Sequence, residues 1–142
     1  MKRYSTIKRG KSDKGKMLDR LDSLFSQIIK LERGPNCEIH NKICDRVGNM
    51  HILGKQSHPK LRYIRNNIVR AGWFCSHYYT HHNSEDPCAV YTQKRIEELR
   101  GKDYRQTIKA EQSFIGTMSE VYLMCKLEEF TAELKVLKGE SI

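Results

Sequence analysis

The chain has 142 residues, of which 26 are Lys or Arg and 17 are Asp or Glu, so its formal net charge is +9 at pH 7. This length suits one small domain with one modest core and leaves no room for a second catalytic domain. The positive charge favours an anionic partner, of which nucleic acid is the commonest. No apolar run approaches the ~20 residues that span a bilayer, and no signal-peptide pattern is present, so we expect a cytoplasmic protein without a membrane partner.

The first 16 residues are strongly basic. They hold seven Lys or Arg against one acidic residue, Asp13, with two glycines and few apolar side chains. This composition predicts a flexible basic arm, residues 1–16, that can follow a phosphate backbone. The alternative is a solvated tail that only aids solubility. Residues 34–84 hold seven further Lys or Arg against Glu38 and Asp45, so the positive charge is concentrated on the arm and the central segment.

An amphipathic helix is predicted from Met17 to Arg33, because apolar residues recur there at helical spacing. Its apolar face consists of Leu18, Leu21, Phe25 and Ile28, widened by Leu24 and Ile29. Gly34-Pro35 ends the helix, since proline lacks an N–H group and restricts the residue before it.

The next segment contains cysteines at metal-ligand spacing. Cys37 and His40 form a C-x-x-H pair, Cys44 is a further candidate, and Cys75 can supply the second half of a degraded zinc knuckle. The chain has five cysteines, and an odd number in a cytosolic protein argues against a disulfide framework. Ordinary buried thiols are the alternative interpretation.

Five of the six histidines lie between Met50 and Asn83. The pattern predicts a strand over Asp45–Leu53 with His51 near its end, then a basic loop. A second strand is opened by Asn66-Asn67 and continues as the run I-V-R-A-G-W-F, which ends at Phe74. A helix carrying His77 and His81 follows. These two histidines are four residues apart, so both imidazoles project from one helix face and can grip one metal ion.

The sequence pattern predicts helices in the C-terminal half. Asp86-Pro87 begins a helix that Gly101 ends, and a short helix follows around Asp103–Ala110. A capping-box pattern at Thr117–Glu120 opens a last helix that runs to Gly139. One broad face of this helix is predicted to carry Val121, Met124 or Cys125, Glu128, Leu134 and Leu137. The last helix is expected to pack on the helix of residues 17–33 or to serve a dimer.

The order of strand with His, loop, strand with Asn, and helix with H-x-x-x-H resembles the ββα-metal nucleases of the HNH class. The pattern is similar to the phage and prophage NinG/Rap-like recombination nucleases, and the run S-H-Y-Y-T-H-H-N-S carries much of this resemblance. The resemblance covers roughly residues 36–109. It implies an α+β fold, with a small ββα-metal core flanked by helices. We expect an arm at 1–16, a nuclease core with its N-terminal helix at 17–110, and a C-terminal helix at 111–142.

The resemblance also implies roles for individual residues. His51 is expected to be the general base, and Asn67 to fix the imidazole or the loop around it. His77 and His81 are expected to hold a divalent metal, Mg²⁺ or Mn²⁺ with Zn²⁺ as a further candidate, and Asn83 to complete the site. The residues expected to contact DNA are Lys55, Arg62 and Arg65. The ligands expected for a structural zinc are Cys37, His40, Cys44 and Cys75.

The chain departs from the family pattern in two places. Many HNH sites have Asp or His immediately before the base, whereas this chain has Met50, which a hard cation would not choose. Asn49 can substitute if the strand bulges, His82 or Asn83 can complete the site, or the two helix histidines hold the metal with water and phosphate. The expected second C-x-x-C pair is also incomplete, because Trp73 and Ser76 stand where its cysteines would lie.

We therefore expect a metal-dependent endonuclease that cuts DNA with low sequence specificity, encoded by a phage or prophage and acting in the host cytoplasm in recombination or DNA processing. The rival interpretation is a non-catalytic, zinc-stabilised DNA-binding or packaging-accessory module. In that case Cys37, Cys75, His77 and His81 bind one structural zinc and nothing is cleaved.

Overall fold

The structure is a computed structural model that describes residues 12–81 and 85–140; the side chains at positions 78, 80 and 81 are not described. Within these residues it contains five α-helices and one antiparallel two-stranded sheet. The predicted α+β class is therefore confirmed. No helix in the described ranges is both long and apolar enough to cross a bilayer.

Helix α1 spans Asp13–Arg33 and begins four residues earlier than predicted. Ser12 explains the earlier start, because its side chain accepts a hydrogen bond from the backbone N–H of Gly15 and so caps the helix. The last residues of the predicted basic arm are thus the first turn of α1, while residues 1–11 lie outside the described part. Gly34 ends the helix as predicted, with φ of 82°.

The sheet is a hairpin of β1, Gly48–His51, and β2, Ile68–Ala71. The register is unbroken from Gly48 opposite Ala71 to His51 opposite Ile68. The 16-residue connection is stiffened by two short 3₁₀ turns, Pro59–Leu61 and Arg65–Asn67. Helix α2, Trp73–His81, follows β2 directly, so Trp73 and Phe74 belong to the helix and not to the second strand as predicted.

Three further helices complete the chain: α3, Pro87–Arg100; α4, Tyr104–Ala110; and α5, Glu120–Leu137. The predicted bounds of the first two are confirmed within a residue. The predicted capping box at Thr117 does not form, because Ser119 caps α5 by accepting a hydrogen bond from the N–H of Tyr122.

The hairpin separates two apolar clusters. Val69 and Met50 face a core built with α2, α3 and α4, whereas Ile68 faces a second core between α1 and α5. In the second core Phe25 stacks on Phe130 at 5.3 Å, and Tyr63 meets both rings edge-on.

Helix α5 packs on α1, which is one of the two arrangements expected, but the predicted face of α5 is only partly right. The helix buries the predicted Leu134 together with Leu123 and Phe130, which were not predicted, whereas Val121 and Met124 are 70% and 57% exposed. A stripe that includes the large Phe130 ring removes more apolar surface from water than one built around Val121.

Candidate active site and metal-binding group

His51 is the last residue of β1, and a backbone carbonyl holds its imidazole. Nε2 lies 3.0 Å from the carbonyl oxygen of Arg62. Because a carbonyl oxygen only accepts, Nε2 must carry the hydrogen, and in the neutral ring the lone pair is then on Nδ1. This tautomer leaves Nδ1 able to accept a proton.

The surroundings of His51 keep its ring neutral. Burial lowers the pKa of His51 below its usual value, and the nearby cations Lys55 and Arg62 lower it further. The hydrogen bond to the Arg62 carbonyl and the carboxylate of Asp22 act in the opposite direction but are outweighed. At pH 7 the half-buried imidazole is therefore a neutral base.

Asn67 fixes the loop that follows His51. Its side chain is fully buried, and Oδ1 accepts a hydrogen bond from the N–H of Leu53 at 2.8 Å. Its Nδ2 donates to the carbonyls of Leu53 and Leu61, at 2.9 and 3.1 Å. Of the two roles expected for Asn67, the contacts are those of the loop-fixing role, because they tie both ends of the 53–61 segment to the residue that precedes β2.

All three residues expected to contact DNA are held in ion pairs within the protein, two of them with Asp22. Arg62 forms a bidentate pair with Asp22 on α1, and Lys55 lies 4.0 Å from the same carboxylate. Burial alone would raise the pKa of Asp22, but hydrogen bonds from Arg62 and Tyr63 outweigh it and lower that pKa. The Arg62 carbonyl that holds His51 is thereby anchored to α1.

Arg65 has a similar structural task. It donates to Glu32 of α1 at 2.9 Å and to Glu133 of α5 at 2.6 Å, and so ties the two helices to the start of β2. These carboxylates raise the pKa of Arg65, which stays charged in any case. Contact with DNA remains a prediction for Lys55, Arg62 and Arg65. Each of these side chains already has a carboxylate partner in the protein.

His77 lies on the second turn of α2 and stacks on Trp73 at 4.7 Å with an interplanar angle of 11°. The guanidinium of Arg46 lies over the Trp73 ring, 4.9 Å from its centroid. His81 is the last residue of the same helix, so the two histidines have the predicted helical spacing. The side chain of His81, together with His82 and Asn83, lies outside the described residues.

The residues just before His51 are not available to a metal. Met50 is 3% exposed and packs in the core, while the amide of Asn49 donates to Ser26 on α1 and accepts from Arg70. Since the register has no bulge at this point, Asn49 does not take the place of the missing Asp or His.

A second group of side chains has the geometry of a metal site. The Sγ atoms of Cys37 and Cys75 are 3.9 Å apart, and His40 Nδ1 lies 3.9 Å from the first and 3.1 Å from the second. A tetrahedral zinc separates two sulfur ligands by about 3.8 Å and sulfur from nitrogen by about 3.5 Å. The Cys37–His40–Cys75 group can therefore hold a metal such as zinc. The two cysteines are buried, and His40 is exposed.

A tight turn makes this group from the C-x-x-H segment. The N–H of Cys37 donates to the carbonyl of Lys42 at 2.8 Å, and Asn41 has a positive φ of 53° that reverses the chain. Burial would raise the pKa of Cys37, but hydrogen bonds from the N–H of Gly72 and from His40 outweigh it and lower this pKa to about 7. A thiol that ionises this readily is a good zinc ligand.

Cys44, the fourth predicted ligand, lies at the edge of the group. Its Sγ is 3.8 Å from His40 Nδ1, but it is not within mutual reach of all three described ligands. Gly72 permits its approach, because a Cβ at Gly72 would lie 2.8 Å from the Cβ of Cys44. The four-ligand set remains a prediction. The rival set combined Cys37 and Cys75 with His77 and His81. Among the described residues, His40 and not His77 is grouped with the two sulfurs, while the side chain of His81 lies outside them.

Sequence reasoning missed two contributors to these sites. Gly72 gave a signal, as a glycine at the junction of a strand and a helix, where close backbone approach is common. The stacking of Tyr91 on His40, at 5.2 Å, gave none, because the two residues are joined only by the fold. No family model matches the chain, and no curated protein or solved structure shows significant similarity to it.

Proposed function

We propose that the chain is a metal-dependent endonuclease of the HNH type, which hydrolyses DNA phosphodiester bonds with low sequence specificity. The observation that carries this proposal is the arrangement of His51. It ends the first strand of an antiparallel hairpin, its Nε2 is held by a carbonyl, and Asn67 fixes the loop beside it. A helix with a second histidine follows, as in the ββα pattern that the sequence resembles.

In the proposed reaction His51 Nδ1 takes a proton from water. The water oxygen then bonds to phosphorus, and the bond from phosphorus to the 3′ oxygen breaks. His77, His81 and Asn83 would hold a divalent ion, Mg²⁺ or Mn²⁺, whose charge neutralises that developing on the phosphate and the leaving oxygen. Of these ligands His77 suits the task, because its half-buried ring is oriented by stacking on Trp73.

Low sequence specificity is proposed because the main feature of the chain that favours DNA binding is its net charge of +9. Contacts to phosphate groups supply affinity and position without reading bases. The resemblance to phage and prophage recombination nucleases suggests recombination or DNA processing as the setting.

A structural zinc would stabilise the nuclease core, with Cys37, His40 and Cys75 as ligands and Cys44 as the fourth. Such an ion would join the turn before β1 to the first turn of α2. It would thereby fix the helix that carries His77 against the hairpin that carries His51.

The same Cys₂His group favours a second candidate, a zinc-stabilised DNA-binding or packaging-accessory module that does not cleave. The two functions share the zinc and the positive charge. They differ in whether His51 acts as a general base, so the effect of changing His51 on cleavage distinguishes the two functions.

Nicking of supercoiled plasmid, with Mg²⁺ or Mn²⁺ added to the zinc-loaded protein, tests the proposal. The wild-type chain should nick, and His51→Ala should lose at least about 100-fold in rate, because a general base typically contributes 10²–10⁴-fold. His58→Ala, a change of a histidine in the neighbouring loop, is the matched control and should keep its rate at saturating DNA. No nicking by wild type with any divalent ion would leave the non-catalytic module as the better account.

A further inference from the structure

A small cleft opens between the first turn of α2 and the start of α3, and two members of the Cys37–His40–Cys75 group, His40 and Cys75, form part of its wall. Its volume is about 210 Å³, and its other lining residues are Phe74, Pro87, Cys88, Tyr91 and Thr92. This volume is below the ~300–1,000 Å³ of sites for drug-sized ligands, so the cleft suits one small planar group. The lining is mainly apolar.

Phe74 and Tyr91 are both exposed, yet each ring is held in position. Phe74 is 57% and Tyr91 50% exposed, so both rings are accessible to a ligand. Phe74 meets Trp73 edge-on at 5.1 Å, and Tyr91 is stacked on His40. Their orientation is therefore set before any ligand arrives, which lowers the entropy cost of binding.

Charged groups of both signs lie near the cleft, because Asp86 accepts a hydrogen bond from the N–H of the lining residue Cys88 and basic side chains lie on the other side of Phe74. Phe74 also borders a neighbouring groove lined by Lys42 and Ile43, and Arg46 lies over the adjoining Trp73 ring. Asp45 balances part of this charge through its pair with Arg46. Aromatic faces next to basic side chains are the usual elements of surfaces that bind single-stranded nucleic acid, in which bases stack and phosphates meet cations.

We propose that this cleft binds an unpaired nucleobase of the DNA substrate, inserted between Phe74 and Tyr91. This inference rests on the proposed function for its link to cleavage. Trp73, next to Phe74, stacks on His77, so a base in the cleft lies beside the helix assigned to the metal. The protein should then prefer DNA with unpaired bases near the bond that is cut.

Binding to short oligonucleotides tests the cleft without any cleavage. Fluorescence anisotropy would compare a labelled thymidine 12-mer with a 12-mer of the same charge that consists of abasic residues, using zinc-loaded protein without added Mg²⁺ or Mn²⁺. Stacking is worth enough that the abasic strand should bind about 5- to 100-fold more weakly. Trp73, the only tryptophan in the chain, should change its emission with the thymidine strand and not with the abasic strand.

The matched variants are Phe74→Ala and Phe114→Ala. Both remove an exposed phenylalanine, but Phe114, 89% exposed, lies on another part of the surface. Phe74→Ala should weaken binding of the thymidine strand by the same 5- to 100-fold and leave the abasic strand unaffected, whereas Phe114→Ala should change neither. Phe74→Leu, which keeps apolar bulk without a stacking face, should behave as Phe74→Ala.

Equal affinity for the two strands, or equal effects of the two alanine variants, would overturn the proposal and leave a protein side chain as the better occupant. Failure of the endonuclease proposal looks different. In that case the thymidine strand binds through Phe74 as expected, but plasmid is not nicked.

Discussion

The two nitrogens of His51 have different surroundings, and this difference decides what the residue can do. Nε2 donates to the carbonyl of Arg62, which leaves the lone pair on Nδ1. In a catalytic triad the group that orients the histidine is a carboxylate, which stabilises the protonated ring. Here the orienting group is an uncharged carbonyl with two cations nearby, so the neutral form prevails.

The pH dependence of cleavage should reflect this environment. The base works only when neutral, so the rate falls as pH decreases through the pKa of His51. Because that pKa is lowered, the acidic limb of the kcat profile should lie below the ordinary histidine value of about 6.5. Lys55 contributes to the lowering, so Lys55→Met should move the midpoint to higher pH.

Nicking rates at saturating DNA between pH 5 and 8 would measure this effect. Lys60→Met removes a charge from the same loop and is the matched control, since it should leave the midpoint in place. A midpoint that is the same in all three proteins would show that His51 does not limit the rate on the acidic side.

At the scale of single residues, the identity of His51 as a strand-end histidine could be predicted from the sequence. Its protonation state could not, because the partner is a main-chain carbonyl eleven positions later, and every residue type has one. The carboxylate partners of Arg62 and Arg65 were hidden for a related reason. Asp22, Glu32 and Glu133 lie far away in sequence, so only the packing of α1 and α5 brings them close.

The loop between the strands of the hairpin depends on one amide. Asn67 satisfies one N–H and two carbonyls of the buried loop backbone. Asn67→Ala leaves these groups without partners. Asn67→Asp replaces the donating Nδ2 with an oxygen, which repels the carbonyl oxygens of Leu53 and Leu61. Either change should lower the free energy of unfolding by roughly 2–4 kcal/mol and abolish nicking, as measured by urea unfolding and by the plasmid assay.

Asn66 provides the neighbouring control, because its exposed amide makes one long hydrogen bond of 3.4 Å with Glu111. Asn66→Ala should change the free energy of unfolding by no more than about 0.5 kcal/mol. If Asn67→Ala proved as mild as Asn66→Ala, the loop would not depend on the amide, and the position of His51 would need another explanation.

The Cys37–His40–Cys75 group can hold a metal, and it links the turn at residues 37–42 to α2, so the proposed zinc would act at the scale of elements. We expect one zinc ion per chain, measured by elemental analysis of the purified protein. Zinc present at 1,000 times its Kd should stabilise the folded chain enough to raise the melting temperature by about 8–16 °C. We therefore expect a fall of this size when a chelator removes the ion, or when Cys37 or Cys75 is changed to Ser.

Cys125→Ser is the matched control, because Cys125 is exposed on α5 and apart from the group. It should keep both the zinc content and the melting temperature. Cys44→Ser tests the fourth ligand: loss of zinc would place Cys44 in the set, and full retention would exclude it. A wild-type protein that contains no zinc and is indifferent to the chelator would favour ordinary buried thiols.

Helix and strand positions were predictable where one face is apolar and the ends carry strong signals, as in α1 with Gly34-Pro35 and α3 with Asp86-Pro87. The apolar face of α5 was not. Its apolar residues surround much of the helix, so the pattern fits more than one face. Contact with Phe25 on α1 selects the face that contains Phe130, and this contact is not visible in the local sequence.

For the whole molecule, the hairpin is the shared wall of two cores, and the ion pairs of Arg62 and Arg65 tie it to α1 and α5. These pairs also neutralise two cations of the central segment, which should then release few counterions on binding DNA. We therefore expect much of the proposed affinity for DNA to come from other basic residues. Residues 1–11 hold five Lys or Arg and no acidic residue, so we expect them to contribute strongly.

Deleting residues 1–11 tests whether their charges contribute to the affinity for DNA. The deletion retains Ser12, the cap of α1. Each phosphate neutralised on duplex DNA contributes about 0.9 to the slope of log K against log salt, so the deletion should reduce the slope by up to about 4.5. Changing the same five basic residues to Gln, which keeps the length, should reduce it equally. Nicking at saturating DNA should survive in both proteins, because the residues assigned to the reaction lie between His51 and Asn83. An unchanged slope would mean that these charges do not meet DNA.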